Sequence, residues 1–297
     1  MAAGTRAGAL ARRRPAPRRR ARRALPFAYY TTAAVLTVLF LFPVVWTALR
    51  SLQGPAADAQ APSLRSLTEL TLRSYQRLAS TGAGMLHYAG NSALVAVGTA
   101  LGSVVLCTLA GYGFSRLRFP GSGALFVVIL TPFMVPFQGI LTPLFTVLTW
   151  LHLSDNLLGL ILVYVTFQLP FGVFIMSNSF AQVPRAIEEA AMVDGLSTMG
   201  VLYRVLWRLV MPGIVTVALF AFLFAWNEFL AALILLTSDA RFTLPIALNN
   251  LQAGSYGRID FGTLDAGALV AMVPCLLVFL LLQRYYVRGL AAGAVKL

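Results

Sequence analysis

Pro184-Arg185-Ala186-Ile187-Glu188-Glu189-Ala190-Ala191-Met192-Val193-Asp194-Gly195 is a short, charged stretch set between two very apolar ones. A segment this polar between two membrane spans must lie in water, where it offers a soluble partner a handle. Its signals describe a helix of about three turns. Pro184 suits the first turn, where a missing N–H costs nothing, and Glu188 and Glu189 lie near the positive helix end. Gly195 supplies a stop, and Ser197 a cap for a following helix. Ile187, Ala190, Ala191 and Asp194 fall at i, i+3, i+4 and i+7 and so share one face. Two alanines there leave the backbone accessible, as insertion into a groove on another protein requires. Spacing alone fits an ordinary surface helix with charged sides as well.

The composition around this stretch is that of a membrane protein. The 297 residues are 59% hydrophobic and only 11% charged, with a mean hydropathy of +0.79, whereas soluble domains carry about 25% charged residues. The net charge of +13 comes largely from one end, where nine arginines fall between Arg6 and Arg23 with no acidic residue among them. Such a cluster serves nucleic acid, anionic lipid or membrane topology. Beside a span, topology is favoured, because cytoplasmic flanks collect Lys and Arg; membrane lipid is therefore an expected partner and nucleic acid is not. Cys107 and Cys275 lie inside apolar runs and read as small buried hydrophobes. His87 and His152 stand alone, so no metal site is expected. No Gly-Lys-Ser/Thr loop and no nucleophile elbow occurs, so neither a catalytic residue nor a cofactor of this chain is expected. Gly111-Tyr112-Gly113 follows a span and reads as packing rather than phosphate binding.

A spanning helix needs about 20 apolar residues, and six segments qualify: about 27–49, 88–112, 124–148, 157–180, 209–236 and 264–282. The first is too long for a secretory leader, whose apolar region runs to about 15 residues, and reads as a retained anchor, cleavage near 57–61 being the alternative. Residues 1–26 are expected to form a disordered, Arg-rich cytoplasmic tail, and 27–297 the transmembrane domain. Between the first two spans, Leu67, Leu70, Leu72, Tyr75 and Leu78 suggest a short amphipathic helix at the outer surface. Gly98-x-x-x-Gly102 in span two allows close helix approach. Pro132, Pro136 and Pro143 predict a kinked or broken third span, and Pro170 lies within the fourth.

With the amino terminus inside, inner segments hold 17 of the 23 basic residues. The outer six are matched by Asp58, Glu69, Asp155, Asp239, Asp260 and Asp265. The asymmetry places both termini and the 184–195 helix in the cytoplasm.

Glu189-Ala190-Ala191-Met192-Val193-Asp194-Gly195 resembles the signature loop of ABC importer permeases, which lies between the fourth and fifth of six spans. Asn91-Ser92, Ala110-Gly111-Tyr112-Gly113-Phe114-Ser115-Arg116, Trp226-Asn227-Glu228-Phe229 and the run from Gln283 to Lys296 extend the likeness over nearly the whole chain. They resemble the carbohydrate-uptake branch, and within it the maltose-type shorter permease subunit. The resemblance implies an all-α, six-span type I importer permease fold in a bacterial cell membrane. It makes 184–195 the coupling helix, with Ile187, Glu188, Glu189, Ala190, Ala191, Asp194 and Gly195 as candidate ATPase-coupling residues. It further implies a second permease subunit in a heterodimer, two cytoplasmic ATPases that use the ATP and Mg²⁺, an extracellular solute-binding protein, and alternating access for a sugar or oligosaccharide.

One departure bears on geometry. The family signature continues to a Leu-Pro where this chain has Trp207-Arg208, while Pro212 matches a second proline. A straighter lead into span five is therefore expected, with Arg208 at the lipid headgroup level. Glu228 is the one acidic residue in the middle of a predicted span, and a carboxylate there is by default functional. Its options are substrate binding, proton relay, or accepting hydrogen bonds from a neighbouring helix, and the last, a structural or gating role, is preferred. Trp226, Asn227 and Glu228 are the substrate-path candidates. Two rivals stand beside the importer reading: a proton-coupled secondary transporter using Glu228, and a non-transporting membrane scaffold.

Overall fold

A computed structural model describes residues 21–53, 70–255 and 260–294. Most of the Arg-rich tail, the residues around 57–61, and the part of the predicted surface helix near Leu67 lie outside the described residues. The chain divides into two compact units, residues 1–47 and 48–297. The described part of the first belongs to helix α1 (Ala21–Ser51), which begins ahead of the span expected from Phe27. Thr37 and Thr47 bond back to the carbonyls of Ala33 and Pro43, keeping their hydroxyls satisfied along an apolar helix.

The second unit is built on three long helices, α3 (Met85–Arg116), α6 (Leu157–Ala181) and α10 (Met211–Asn227). In lipid there is little hydrophobic drive between helices, so close approach decides their packing. The glycines of α3 provide it. A Cβ on Gly98 would meet Ile161, one on Gly102 would meet Val165, and one on Gly111 would strike Met176 and its backbone. The Gly98-x-x-x-Gly102 motif and Gly111 thus form one seam against α6. Two apolar clusters fill the unit, one holding Tyr88, Tyr164 and Trp226, the other Tyr112, Phe180 and Leu206.

Span three is broken, as its prolines predict. Helix α4 (Ser122–Leu130) and a 3₁₀ turn (Thr131–Met134) are followed by a second 3₁₀ turn (Phe137–Ile140) and α5 (Leu141–Trp150). The halves Ser122–Met134 and Phe137–Trp150 meet at 99°, with Pro132 and Pro136 flanking the joint. Counting this pair and the Thr198–Leu209 plus Met211–Asn227 pair as one span each, the described helices supply six candidate spans, four of them long single helices.

The approach to span five corrects the sequence expectation. Helix α7 (Arg185–Val193) leads into α8 (Thr198–Val201), a π turn (Leu202–Leu206) and α9 (Trp207–Leu209). Thr198–Leu209 then meets Met211–Asn227 at 80° instead of running straight. Pro212, in the first turn of α10, has no N–H to donate back into the preceding helix. Leu206 and Val210, both buried, pin the corner. One proline and a buried corner therefore make the bend without the Leu-Pro that Trp207-Arg208 replaces; Arg208 is exposed.

Span five ends in a second break at Glu228 and Phe229, after which α11 (Leu230–Leu235) resumes. A 3₁₀ turn (Asp239–Arg241) and an unanticipated helix α12 (Leu244–Gln252) precede α13 (Phe261–Ala294), which contains Pro274. Helix α2 (Arg73–Ser80) carries Tyr75 and Leu78 of the predicted amphipathic element, whereas Leu70, in an isolated bridge with Gln53, and Leu72 stand outside the helix; α2 buries Leu78 and joins Asp260 through Arg77 at 2.5 Å.

Candidate functional site

Helix α7 is framed by its own sequence. Pro184 sits in extended backbone just ahead of it, with Arg185 its first helical residue. At the far end Gly195 takes a φ of +88°, a conformation costly for any residue with a Cβ. The Gly195 N–H then reaches the Met192 carbonyl at 3.0 Å and the Leu196 N–H the Ala191 carbonyl at 3.1 Å, closing a Schellman motif. The Ser197 hydroxyl accepts from the Gly200 N–H at 3.2 Å and opens α8.

The seven candidate coupling residues divide between two faces. Glu188 and Ala191 are buried against the bundle, whereas Ile187, Glu189, Ala190, Asp194 and Gly195 are exposed. Ala191 therefore does not share the open face with Ile187, Ala190 and Asp194. Glu188 points at Arg116, the last residue of α3, and its Oε1 lies 2.5 Å from the Arg116 Nε. The same guanidinium donates through Nη2 to the carbonyls of Phe180 at 2.7 Å and Val183 at 2.6 Å. Only 7% of either side chain is exposed. Sequence reading missed Arg116 as a partner of α7, although it closes the quoted Ala110–Arg116 motif; adjacent Glu188 and Glu189 gave no sign of which one turns inward.

The second site is the break in span five. The Glu228 carboxylate accepts from the N–H groups of Ala231, at 2.9 Å, and Ala232, at 3.3 Å, which open α11. It also accepts a short bond from the hydroxyl of Tyr164 on α6, a fully buried residue. Of the three substrate-path candidates, Trp226 is buried, its Nε1 donating to the Ala271 carbonyl at 3.0 Å, and Asn227 is exposed, donating to the Leu223 carbonyl at 2.7 Å. Glu228 is part-buried, and sequence reading did not identify Tyr164 as its partner.

At the opposite end of the bundle from α7, Asp155 gathers a loop. It accepts from the N–H groups of Thr237 and Ser238 at 2.9 and 3.1 Å, from the Ser238 hydroxyl, and from Arg241 at 3.3 Å. Partial burial works to raise this carboxyl, but the Ser238 hydroxyl, the two backbone bonds and Arg241 outweigh it and hold it below its ordinary value. Nearby, the Tyr88 hydroxyl donates to Asp239, and Asn91 donates to the carbonyls of Ala240 and Phe242. Among the described residues no cluster of His, Cys, Asp and Glu can hold a metal ion.

An exposed helix between the fourth and fifth of six candidate spans agrees with a family match over residues 98–292. The chain belongs to the binding-protein-dependent transport system inner membrane component family. It is 38% identical over 206 residues to the trehalose transport system permease protein SugB of Mycobacterium tuberculosis, covering 69% of this chain and 75% of that protein. It is 33% identical over 273 residues to the inner membrane ABC transporter permease protein YcjP of Escherichia coli, covering 90% and 95%. It is 31% identical over 267 residues to the trehalose/maltose transport system permease protein MalG of Thermococcus litoralis, covering 89% and 94%. The fold is similar to that in the crystal structure of a bacterial ABC transporter involved in the import of the acidic polysaccharide alginate, with a TM-score of 0.76 over 90% of this chain and 98% of that one, at 20% identity. This permease is thus a transport subunit of the bacterial plasma membrane, not an enzyme, and works with ATPase and solute-binding partners.

Proposed function

We infer that the permease carries a sugar or oligosaccharide into the cell by alternating access, as one half of a heterodimer with a second permease subunit. ATP and Mg²⁺ are bound by two cytoplasmic ATPases, and α7 enters a cleft on one of them through Ile187, Glu189, Ala190 and Asp194. The observation that carries this reading is the geometry of α7. It is exposed along one side, fixed by a Gly195 stop at one end, and anchored to the bundle by Glu188 on the other side. A helix so held moves with whatever grips its open face. The trehalose and trehalose/maltose relatives support the sugar class. The basic excess on the α7 side supports cytoplasmic termini.

Alternating access needs a driver with different affinity for the two states, and a separate motor meets that need. Glu228 is engaged by two backbone N–H groups and the Tyr164 hydroxyl. That engagement supports a role in holding the break in span five over one in carrying protons. Trp226, buried and bonded to Ala271, favours packing, and Asn227 remains the exposed member of the path.

The test is binding and uptake with the cognate solute-binding protein. Calorimetric titration of that protein with di- and oligosaccharides, followed by ATP-dependent uptake in proteoliposomes, is expected to identify a sugar ligand. Ala190→Trp is expected to abolish co-purification of the ATPases. Uptake that persists without ATP, or ATPases that stay bound to the Ala190→Trp protein, would overturn the reading.

A further inference from the structure

We propose that Arg116 is a positioning residue that locks α7 to the cytoplasmic-side ends of α3 and α6, so that the coupling helix and these two spans move as one body. The proposal rests on the coupling role of α7 and names the joint that the role requires.

Arg116 ends α3, Phe180 lies in the last turn of α6, Val183 lies in the connector, and Glu188 stands in the first turn of α7. One guanidinium donates through Nη2 to the Phe180 and Val183 carbonyls and ion-pairs through its Nε side with Glu188. An Arg fork presents several donors in a fixed plane, and charge-assisted bonds are short and directional. The Phe180 and Val183 carbonyls are accordingly held by the group that holds the carboxylate. A buried ion pair contributes little net stability compared with an apolar pair of similar size, so stability does not account for this arrangement. Stiffness does. Apolar surfaces can slide, whereas one guanidinium hydrogen-bonded to α6 and the connector and ion-paired to α7 resists translation and rotation together. The rest of the inward face of α7 is slight, with Ala191 its other buried side chain. The Tyr112 ring, edge-on to Phe180 at 5.4 Å, closes one side of the joint.

The experiment uses the full transporter with its binding protein in lipid nanodiscs. Spin labels are placed at Val193 on α7 and Leu106 on α3, both exposed, in a Cys107→Ala, Cys275→Ala background. The label separation is measured without nucleotide and after trapping with Mg-ATP and vanadate, trapping being confirmed by arrested hydrolysis. The native joint is expected to hold the separation to within about 2 Å, the size of small interface shifts. R116M/E188L, which removes the charges as a pair, is expected to retain the ATPases yet shift or broaden the separation on trapping. R116K, which keeps the charge but loses the fork, is expected to broaden it as well. A separation that changes in the native protein, or stays fixed in both variants, would overturn the proposal. Loss of the coupling reading itself would instead appear as ATPases still bound to the Ala190→Trp protein, a result independent of the label distances.

Discussion

Glu228 occupies a position where a carboxylate is costly, and its partners show why it is tolerated. The N–H groups it accepts belong to Ala231 and Ala232, both fully buried. Glu228→Ala is expected to lower stability by about 1–3 kcal/mol, the cost of orphaned buried donors. Glu228→Gln keeps an acceptor oxygen and is expected to lose less than half as much. Thermal unfolding in detergent separates the two; equal losses would show that the charge, not the acceptor, matters. Asp155 is the second residue whose chemistry is readable. Its carboxyl is held low in the folded protein, so its contribution is complete above the unfolded-chain value of about 4 and disappears as pH falls through the lower folded value. The melting-temperature gap between the native protein and Asp155→Asn is expected to be constant above about pH 5 and to close on acidification below about pH 4.

At the scale of helices, the seam between α3 and α6 turns on which glycine faces what. A Cβ at Gly111 would lie 2.5 Å from the Met176 Cβ and 2.9 Å from the α6 backbone, which has no room to yield. One at Gly113 meets nothing within 4 Å. Helix propensity favours alanine at either place by about 1 kcal/mol, so contact decides the sign. Gly111→Ala is expected to destabilise by about 1–3 kcal/mol and Gly113→Ala to be neutral or mildly stabilising, both read from melting curves. Much at this scale was legible from sequence. Apolar length gave the candidate spans, prolines gave the break in span three, and Gly195 and Ser197 gave the end of α7 and the start of α8. Other features needed the packed molecule. The bend before α10 depends on Leu206 and Val210 being buried together, which outweighs the missing Leu-Pro. Glu188 turns inward because Arg116, distant in sequence, lies beneath it. Helix α12 carried a signal in Thr243-Leu244-Pro245, a capping residue type and an early proline, but its apolar run is too short to cross a membrane.

For the whole molecule, the charge asymmetry and the positions of the loops make one prediction together. Helix α7 and the corner at Val210 lie at one end of the bundle; the α5–α6 turn and the Asp155 loop lie at the other. In a Cys107→Ala, Cys275→Ala background, Val193→Cys is expected to react with a membrane-impermeant maleimide only from the cytoplasmic side, and Leu151→Cys only from the outside. Labelling in intact and inverted vesicles checks this, and reversed labelling would invert the topology and remove α7 from the reach of cytoplasmic ATPases.

The burial of Arg116 and Glu188 also constrains descent. Replacing either alone leaves an uncompensated buried charge, at a cost of about 3–5 kcal/mol, a large share of the margin that keeps a domain folded. A lineage can therefore leave this pair only by changing both positions nearly at once, or by first acquiring stability elsewhere. Across diverging permeases of this kind, positions 116 and 188 are expected to be inherited as a unit, while the exposed neighbour Glu189 is free of that constraint.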